Sequence, residues 1–435
     1  MGYTPPMSQS AVALGVFIAA YVLFALLPSR RALVAAAGGA ILIAAGVVSP
    51  GDAFRLVNWN VMGIFVGTLV VADVFMESRV PARAAELIVE RAPSTAAAIL
   101  AICALTGFVS AFVENVATVL IVAPIALALA RKLSINPVRM MIAIAVSSNL
   151  QGCATLIGDP PSMLLGGFAK MSFADFFVYR GRPGIFFAVE VGGLASFAVL
   201  YLLFRRHREK VKTVPVETVR SWVPAAILAS LVAALAVSSF LDTGFSWLAG
   251  ALCMGAAAVA AAWDRLANRA SLVEGLRALD WDTTVFLAGI FLLVGSLSLT
   301  GWIDAVSAAL SALVGDNIFF GYTLLVFVSM VLSAFVDNVP YLAAMLPVAM
   351  GMAERLSVAP PLFLFGLLIG ASLGGNITPI GASANIVACG LLRKEGYRVG
   401  FGEFMRVGVP FTLAATGAAY LFVWAVWGPG AVCAR

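Results

Sequence analysis

The sequence predicts an all-α polytopic membrane protein of two inverted-topology repeats, each with a re-entrant helical hairpin and a broken helix. Three observations lead there. The 435-residue chain is 62% hydrophobic and 11% charged, whereas soluble domains carry about 25% charged residues, so water is not its main solvent. The segment Ser110-Ala-Phe-Val-Glu114-Asn115-Val116 returns 223 residues later as Ser333-Ala-Phe-Val-Asp337-Asn338-Val339, and the offset then holds without a gap for more than fifty residues. Finally, acids, amides, glycines and prolines interrupt both copies at mid-span, where a plain spanning helix would have none.

Hydropathy places spanning helices near 11–28, 32–49, 59–76, 184–205, 221–239, 246–262, 283–300 and 408–428. The first has no basic leader and no small-residue cleavage site, and a second span follows at once, so both read as membrane helices. Residues 95–131 and 318–354 are paired apolar stretches split by Glu-Asn or Asp-Asn, the pattern of a re-entrant hairpin with a polar tip. Residues 138–168 and 361–392 are instead broken by glycine- and proline-rich runs, where an unwound helix frees backbone carbonyls.

With each hairpin entering and leaving on one side, the chain makes about ten crossings. Placing both termini outside leaves 21 of the 27 Lys and Arg residues on the cytoplasmic side, as the positive-inside rule requires. The two hairpins then open toward opposite faces. The expected organisation is N-terminal scaffold helices (1–49), a first repeat (50–205), a cytoplasmic linker with connecting helices (206–264) and a second repeat (265–428). The expected location is the cell (inner) membrane. The basic run Arg205–Lys212, which contains the lone His207, reads as a solvated loop.

Topology accounts for the net charge of +5, so no nucleic-acid partner is implied. Cysteines 103, 153, 253, 389 and 433 lack CxxC spacing, which argues against a disulfide framework or a metal centre. No Walker A loop and no His/Cys nucleophile pair is present, so neither an enzyme nor a resident cofactor is expected.

Five acids fall within apolar spans: Asp73, Glu114, Asp159, Glu190 and Asp337. Burying one in hydrocarbon costs ~3 kcal/mol on insertion scales, and no Lys or Arg lies obviously near in the spans. Such a set is suited to holding protons or cations. Glu114 and Asp337 lead because they occupy equivalent hairpin tips, with Asn115 and Asn338 beside them; Asp159 and Asp73 join them as proton-coupling candidates. Gly152, Cys153, Thr155, Gly158, Gly375, Asn376, Thr378 and Gly381 could complete a ring of donors around a small solute. Plainer roles compete. A tip acid or Asp159 could cap the following half-helix, Glu190 could be a hydrogen-bonded lumen residue, and Cys153 could be a small packing residue rather than a thiol ligand for trivalent arsenic.

The segments Glu114-Asn-Val-Ala-Thr118, Ile157-Gly-Asp-Pro-Pro-Ser162, Asp337-Asn-Val-Pro340 and Gly375-Asn-Ile-Thr-Pro-Ile-Gly-Ala-Ser-Ala-Asn385-Ile resemble the ArsB/NhaD/P-protein group of the ion transporter superfamily, related to dicarboxylate transporters. The resemblance covers nearly the whole chain. It implies a scaffold domain, a transport domain holding both hairpins, an elevator-type displacement and a homodimer, with an ATPase subunit as a possible partner. Dicarboxylate members carry Ser-Asn-Thr at both tips; the carboxylates found here disfavour an anionic substrate. The resemblance therefore points first to proton-coupled export of arsenite or antimonite. A sodium/proton antiporter is the alternative, and an ion-coupled organic-anion carrier comes third. The expected coupling ion is H+, with Na+ as the alternative.

Overall fold

The computed structural model describes residues 7–133, 135–207, 218–268 and 271–429. Cys433 and the basic residues from Arg208 to Lys212 lie outside the described residues. The first ten helices are α1 (Met7–Leu26), α2 (Arg31–Ala44), α3 (Pro50–Leu56), α4 (Trp59–Glu77), α5 (Val80–Arg91), α6 (Thr95–Ser110), α7 (Asn115–Leu133), α8 (Val138–Gly152), α9 (Pro160–Ala169) and α10 (Ile185–Phe204). The next ten are α11 (Val223–Leu241), α12 (Leu248–Asn268), α13 (Leu272–Ala278), α14 (Trp281–Leu299), α15 (Trp302–Val314), α16 (Ile318–Ser333), α17 (Asn338–Arg355), α18 (Pro360–Gly374), α19 (Ser383–Lys394) and α20 (Phe401–Trp427). Two paired two-residue strands, Val178–Tyr179 and Arg182–Pro183, are the sheet found among the described residues. Eight of the helices are long and apolar enough to cross a membrane.

The duplication reaches the local signals that start each helix. Ser49 caps α3 by accepting from the Asp52 amide, and Ser271 caps α13 by accepting from the Glu274 amide; both are serines followed three residues later by an acid. Asn58 and Asp280 cap α4 and α14, while Ser94 and Asn317 cap α6 and α16. Trp59 Nε1 donates to the Phe54 carbonyl and Trp281 Nε1 to that of Leu276, fixing the same bend in both halves. In lipid such caps matter, because water is not there to take up the free amides of a helix end.

Helices pack in swapped pairs. Helix α2 lies on α14 and α12 lies on α4, so each half contributes one helix to the other's support. Small residues set the closeness of both seams. A Cβ on Gly67 would come within 2.4 Å of the Cys253 backbone carbon, and one on Gly289 within 2.6 Å of the Ala35 Cβ. The hairpin helices follow the same exchange, with α7 on α19 and α17 on α9.

The breaks between α6 and α7, α8 and α9, α16 and α17, and α18 and α19 fall at the polar interruptions. Hydropathy did not register α5, α13 and α15. Helix α5 is amphipathic, α13 has seven residues, and α15, though apolar, has only thirteen, so none offers the run of about 20 apolar residues that marks a span.

Gly67→Ala is expected to lower the thermal unfolding midpoint of the purified protein, because overpacking a tight seam costs about 1–3 kcal/mol. Gly255→Ala, where an added Cβ meets nothing within 4 Å, is expected to leave the midpoint unchanged in the same melt.

Candidate functional site

Each hairpin turns between its arms at the acid. Glu114 is half-buried, and its Oε2 accepts from the Ala117 amide at 3.0 Å at the start of α7. Asp337 Oδ1 accepts from the Val339 amide at 3.0 Å at the start of α17. Both acids therefore serve as caps, each accepting from a backbone amide at the start of the following helix.

Behind the tips, the broken helices hold the hairpins by matched bonds. Thr155 Oγ1 donates to the Ala111 carbonyl, and Thr378 Oγ1 donates to that of Ala334. The glycines allow this closeness. A Cβ on Gly152 would come within 2.2 Å of Asn115 Oδ1, and one on Gly381 within 2.5 Å of the Gly375 carbonyl oxygen. The loop carbonyls expected to ring a solute are engaged inside the fold instead. The Gly152 oxygen accepts from Ser162 Oγ at 3.4 Å, and that of Gly375 accepts from Asn385 Nδ2 at 3.0 Å.

A chain of buried amides joins the two halves. Ser110 Oγ donates to Asn115 Oδ1 at 2.6 Å, and Asn115 Nδ2 donates to Asn149 Oδ1 at 3.4 Å. Asn149 Nδ2 reaches Asn376 Oδ1 at 3.0 Å and the Ser372 carbonyl at 2.9 Å, and Asn376 Nδ2 returns to the Val146 carbonyl at 3.2 Å. Asn376 thus belongs to the seam and lies behind the cavity wall.

A cavity of about 380 Å³ opens between the tips. Its lining brings together Asp73, Glu114, Asp159, Asp280 and Asp337, with the amides Asn115, Asn149 and Asn338 and the guanidinium of Arg31. Asp73 and Asp280 are exposed and stand at the mouth, while Asp159 is 1% exposed. Asp159 Oδ1 caps α9 through the Ser162 amide at 2.9 Å; its Oδ2 is buried without a well-formed hydrogen bond, beside the Asn115 side chain. A buried carboxylate oxygen so placed is stabilised by a proton or a cation.

Three sequence expectations are corrected here. Asp337 does have a basic partner, since Arg31 Nη1 lies 2.7 Å from its Oδ2. Arg31 sits 306 residues away at the start of α2 and reads in sequence as a loop charge. Cys153 is buried, donates to the Leu150 carbonyl at 3.0 Å and does not line the cavity. Thr155, Gly158, Thr378 and Gly381 brace the tips without reaching the cavity wall, and Glu190 also stands apart from it. The reasoning from sequence missed Arg31, Asp280, Thr283 and Asn149. Asp280 alone carried a signal, as the repeat counterpart of the capping Asn58.

Two broken helices, two facing hairpin tips and an acid-lined cavity between them define a multi-pass membrane transporter. Residues 21–361 and 342–432 match the citrate transporter family, and the chain belongs to that family. An uncharacterized transporter of Mycobacterium tuberculosis is 31% identical over 440 residues, covering 96% of this chain and 98% of the relative. The mouse P protein is 26% identical and covers 96% of this chain and 60% of the relative. Among solved structures, the YdaH transporter of Alcanivorax borkumensis superposes with a TM-score of 0.61 at 16% identity over 86% of each chain. The antimetabolite efflux pump MtrF of Neisseria gonorrhoeae gives 0.56 at 13% identity, over 98% of this chain and 96% of that one. The family is one of membrane transporters rather than enzymes, and the likeness to solved structures is one of fold.

Gly152→Ala is expected to displace the Asn115 amide and cut transport by about tenfold or more, while size-exclusion elution and helical content stay those of the wild type. Gly390→Ala, with open space around it, serves as the neutral comparison in the same flux assay.

Proposed function

We propose that the protein is a proton-coupled secondary transporter of the cell membrane that exchanges protons for a small cation, with sodium as the leading candidate. The observation that carries this reading is the charge of the cavity. Five carboxylates line it against one guanidinium among the described residues, and that guanidinium is already engaged by Asp337. Hard oxygen donors of this kind suit an alkali cation or a proton, and the two compete for the same oxygens. Glu114 and Asp159 are the exchanging groups, with Asn115 and Asn149 as neutral oxygen donors.

The chemistry of the lining supports a second reading, export of arsenite or antimonite. A neutral trihydroxide carries three O–H donors, and the cavity is rich in acceptors. Recognition would run through oxygen, since no thiol lines the cavity among the described residues. The family's description as citrate transporter makes citrate the third candidate. A tricarboxylate would enter so acidic a cavity only with cations bound to it. By resemblance, two copies pair and the hairpins ride together in an elevator-type movement; the positive-inside count places the Arg31 loop on the cytoplasmic side. Nothing in this cycle requires a nucleotide-hydrolysing subunit.

Proteoliposomes loaded with a pH-sensitive dye distinguish the three. Sodium should collapse an imposed proton gradient in the wild type, and Glu114→Gln should slow that collapse at least about tenfold, equivalent to ~1.4 kcal/mol. Proton-driven flux of arsenite or antimonite without a sodium response would establish the second reading. Uptake of citrate stimulated by a divalent cation, with neither of the other fluxes, would establish the third.

A further inference from the structure

The second hairpin is held from outside in a way that the first is not. Arg31, the first residue of α2, donates through Nη1 to Asp337 Oδ2 at 2.7 Å and through Nη2 to Thr283 Oγ1 at 2.8 Å. Its Nε lies 3.6 Å from Asp282 Oδ2, and its guanidinium sits over the Phe286 ring at 5.1 Å. Asp282, Thr283 and Phe286 belong to α14, so the side chain is anchored on the α2–α14 pair and reaches across to the tip. Helix α1 adds a second link, Tyr21 Oη donating to the Pro340 carbonyl at 2.6 Å. The hydrogen bonds seen for Glu114, by contrast, come from the Ala117 amide of the following helix to its carboxylate and from the Thr118 hydroxyl to its carbonyl.

The pair is placed for exchange. Its side chains are 21% and 34% exposed, and both line the cavity. An ion pair of that exposure is only modestly stabilising, whereas a fully buried pair would be costly to part. A cation entering the cavity meets Asp337 with Oδ2 already occupied by a positive charge, and two cations on one carboxylate oxygen repel at contact distance. One must leave.

We propose that Arg31 is a tethered cation that occupies Asp337 while the cavity holds no solute cation, clamping the second hairpin to the α2–α14 pair, and that the arriving cation displaces it and frees the hairpin. The competition half of this proposal rests on the cation reading of the cavity; the clamp half does not. Arg31 is then a specificity and coupling residue. A solute that carries no positive charge leaves the clamp closed, so the hairpin is released only when a transportable charge has replaced the internal one.

Hydrogen exchange on the full-length protein in nanodiscs tests the clamp without any transport. In Arg31→Gln, the amides of Val339 and Tyr341 to Ala343 should exchange faster, on the order of tenfold, while those of Ala117 and Thr118 at the first tip stay unchanged. Arg31→Lys should stay near the wild type. Asp337→Asn removes the same pair while keeping a capping side chain, so it should reproduce the rise, and it decides the matter if Arg31→Gln does not fold. No change at the second tip, or an equal rise at both tips, overturns the clamp. In flux assays, Arg31→Gln should lower the half-saturating cation concentration roughly three- to tenfold; an unchanged or raised value overturns the competition. Absence of cation flux in the wild type would count against the proposed function alone, because the exchange data uphold or overturn the clamp by themselves.

Discussion

The hydrogen bond between Asn149 and Asn376 is the contact on which the site depends. It joins the two halves where both side chains are buried, so each polar group must be satisfied by protein. Asn149 takes one end of the Asn115 amide and gives to Asn376 and the Ser372 carbonyl, so the first hairpin tip, the first broken helix and the second broken helix share one network. The glycines at 152, 158, 375 and 381 are consequences of that constraint. Backbone must approach backbone and amide closely enough to complete the network, and a methyl group at any of these positions would collide.

The two halves are nearly equivalent in their supports and different in their chemistry. The threonine-to-carbonyl bonds, the cap residues and the swapped seams repeat almost residue for residue. The acids do not. Glu114 lines the cavity with only backbone amides and a threonine hydroxyl seen bonded to it, Asp159 lines it where the second half has Ala382, and Asp337 is tied to Arg31. On the reading proposed above, a symmetric frame with an asymmetric charge set suits an alternating cycle, in which one tip carries the exchanging group and the other is latched.

Much of this was legible in the sequence. Hairpin limits could be read within two residues, because acids and prolines are costly in lipid and their positions recur at a fixed offset. The tip acids, their amides and Asp159 stood out by their chemistry at the interruptions, and all of them line the cavity. What could not be read depended on distance or on direction. Arg31 and Asp337 are 306 residues apart, and nothing local to Arg31 sets it apart from other charges at a helix end. Gly152 and Gly158 stood out from the motif, yet composition cannot tell a carbonyl that faces a solute from one that, like that of Gly152, accepts a hydrogen bond from Ser162. Cys153 was noticed for its thiol, but only the fold shows that thiol turned toward the Leu150 carbonyl.

The central claim is that solute and proton compete for the same carboxylates in one cavity. Proton release on solute binding measures it most directly. Purified protein in weakly buffered detergent solution, held near neutral pH with an indicator dye, should release protons when sodium is added, and Glu114→Gln should release fewer. Sodium binding that is detectable by calorimetry but accompanied by no proton release would contradict the account.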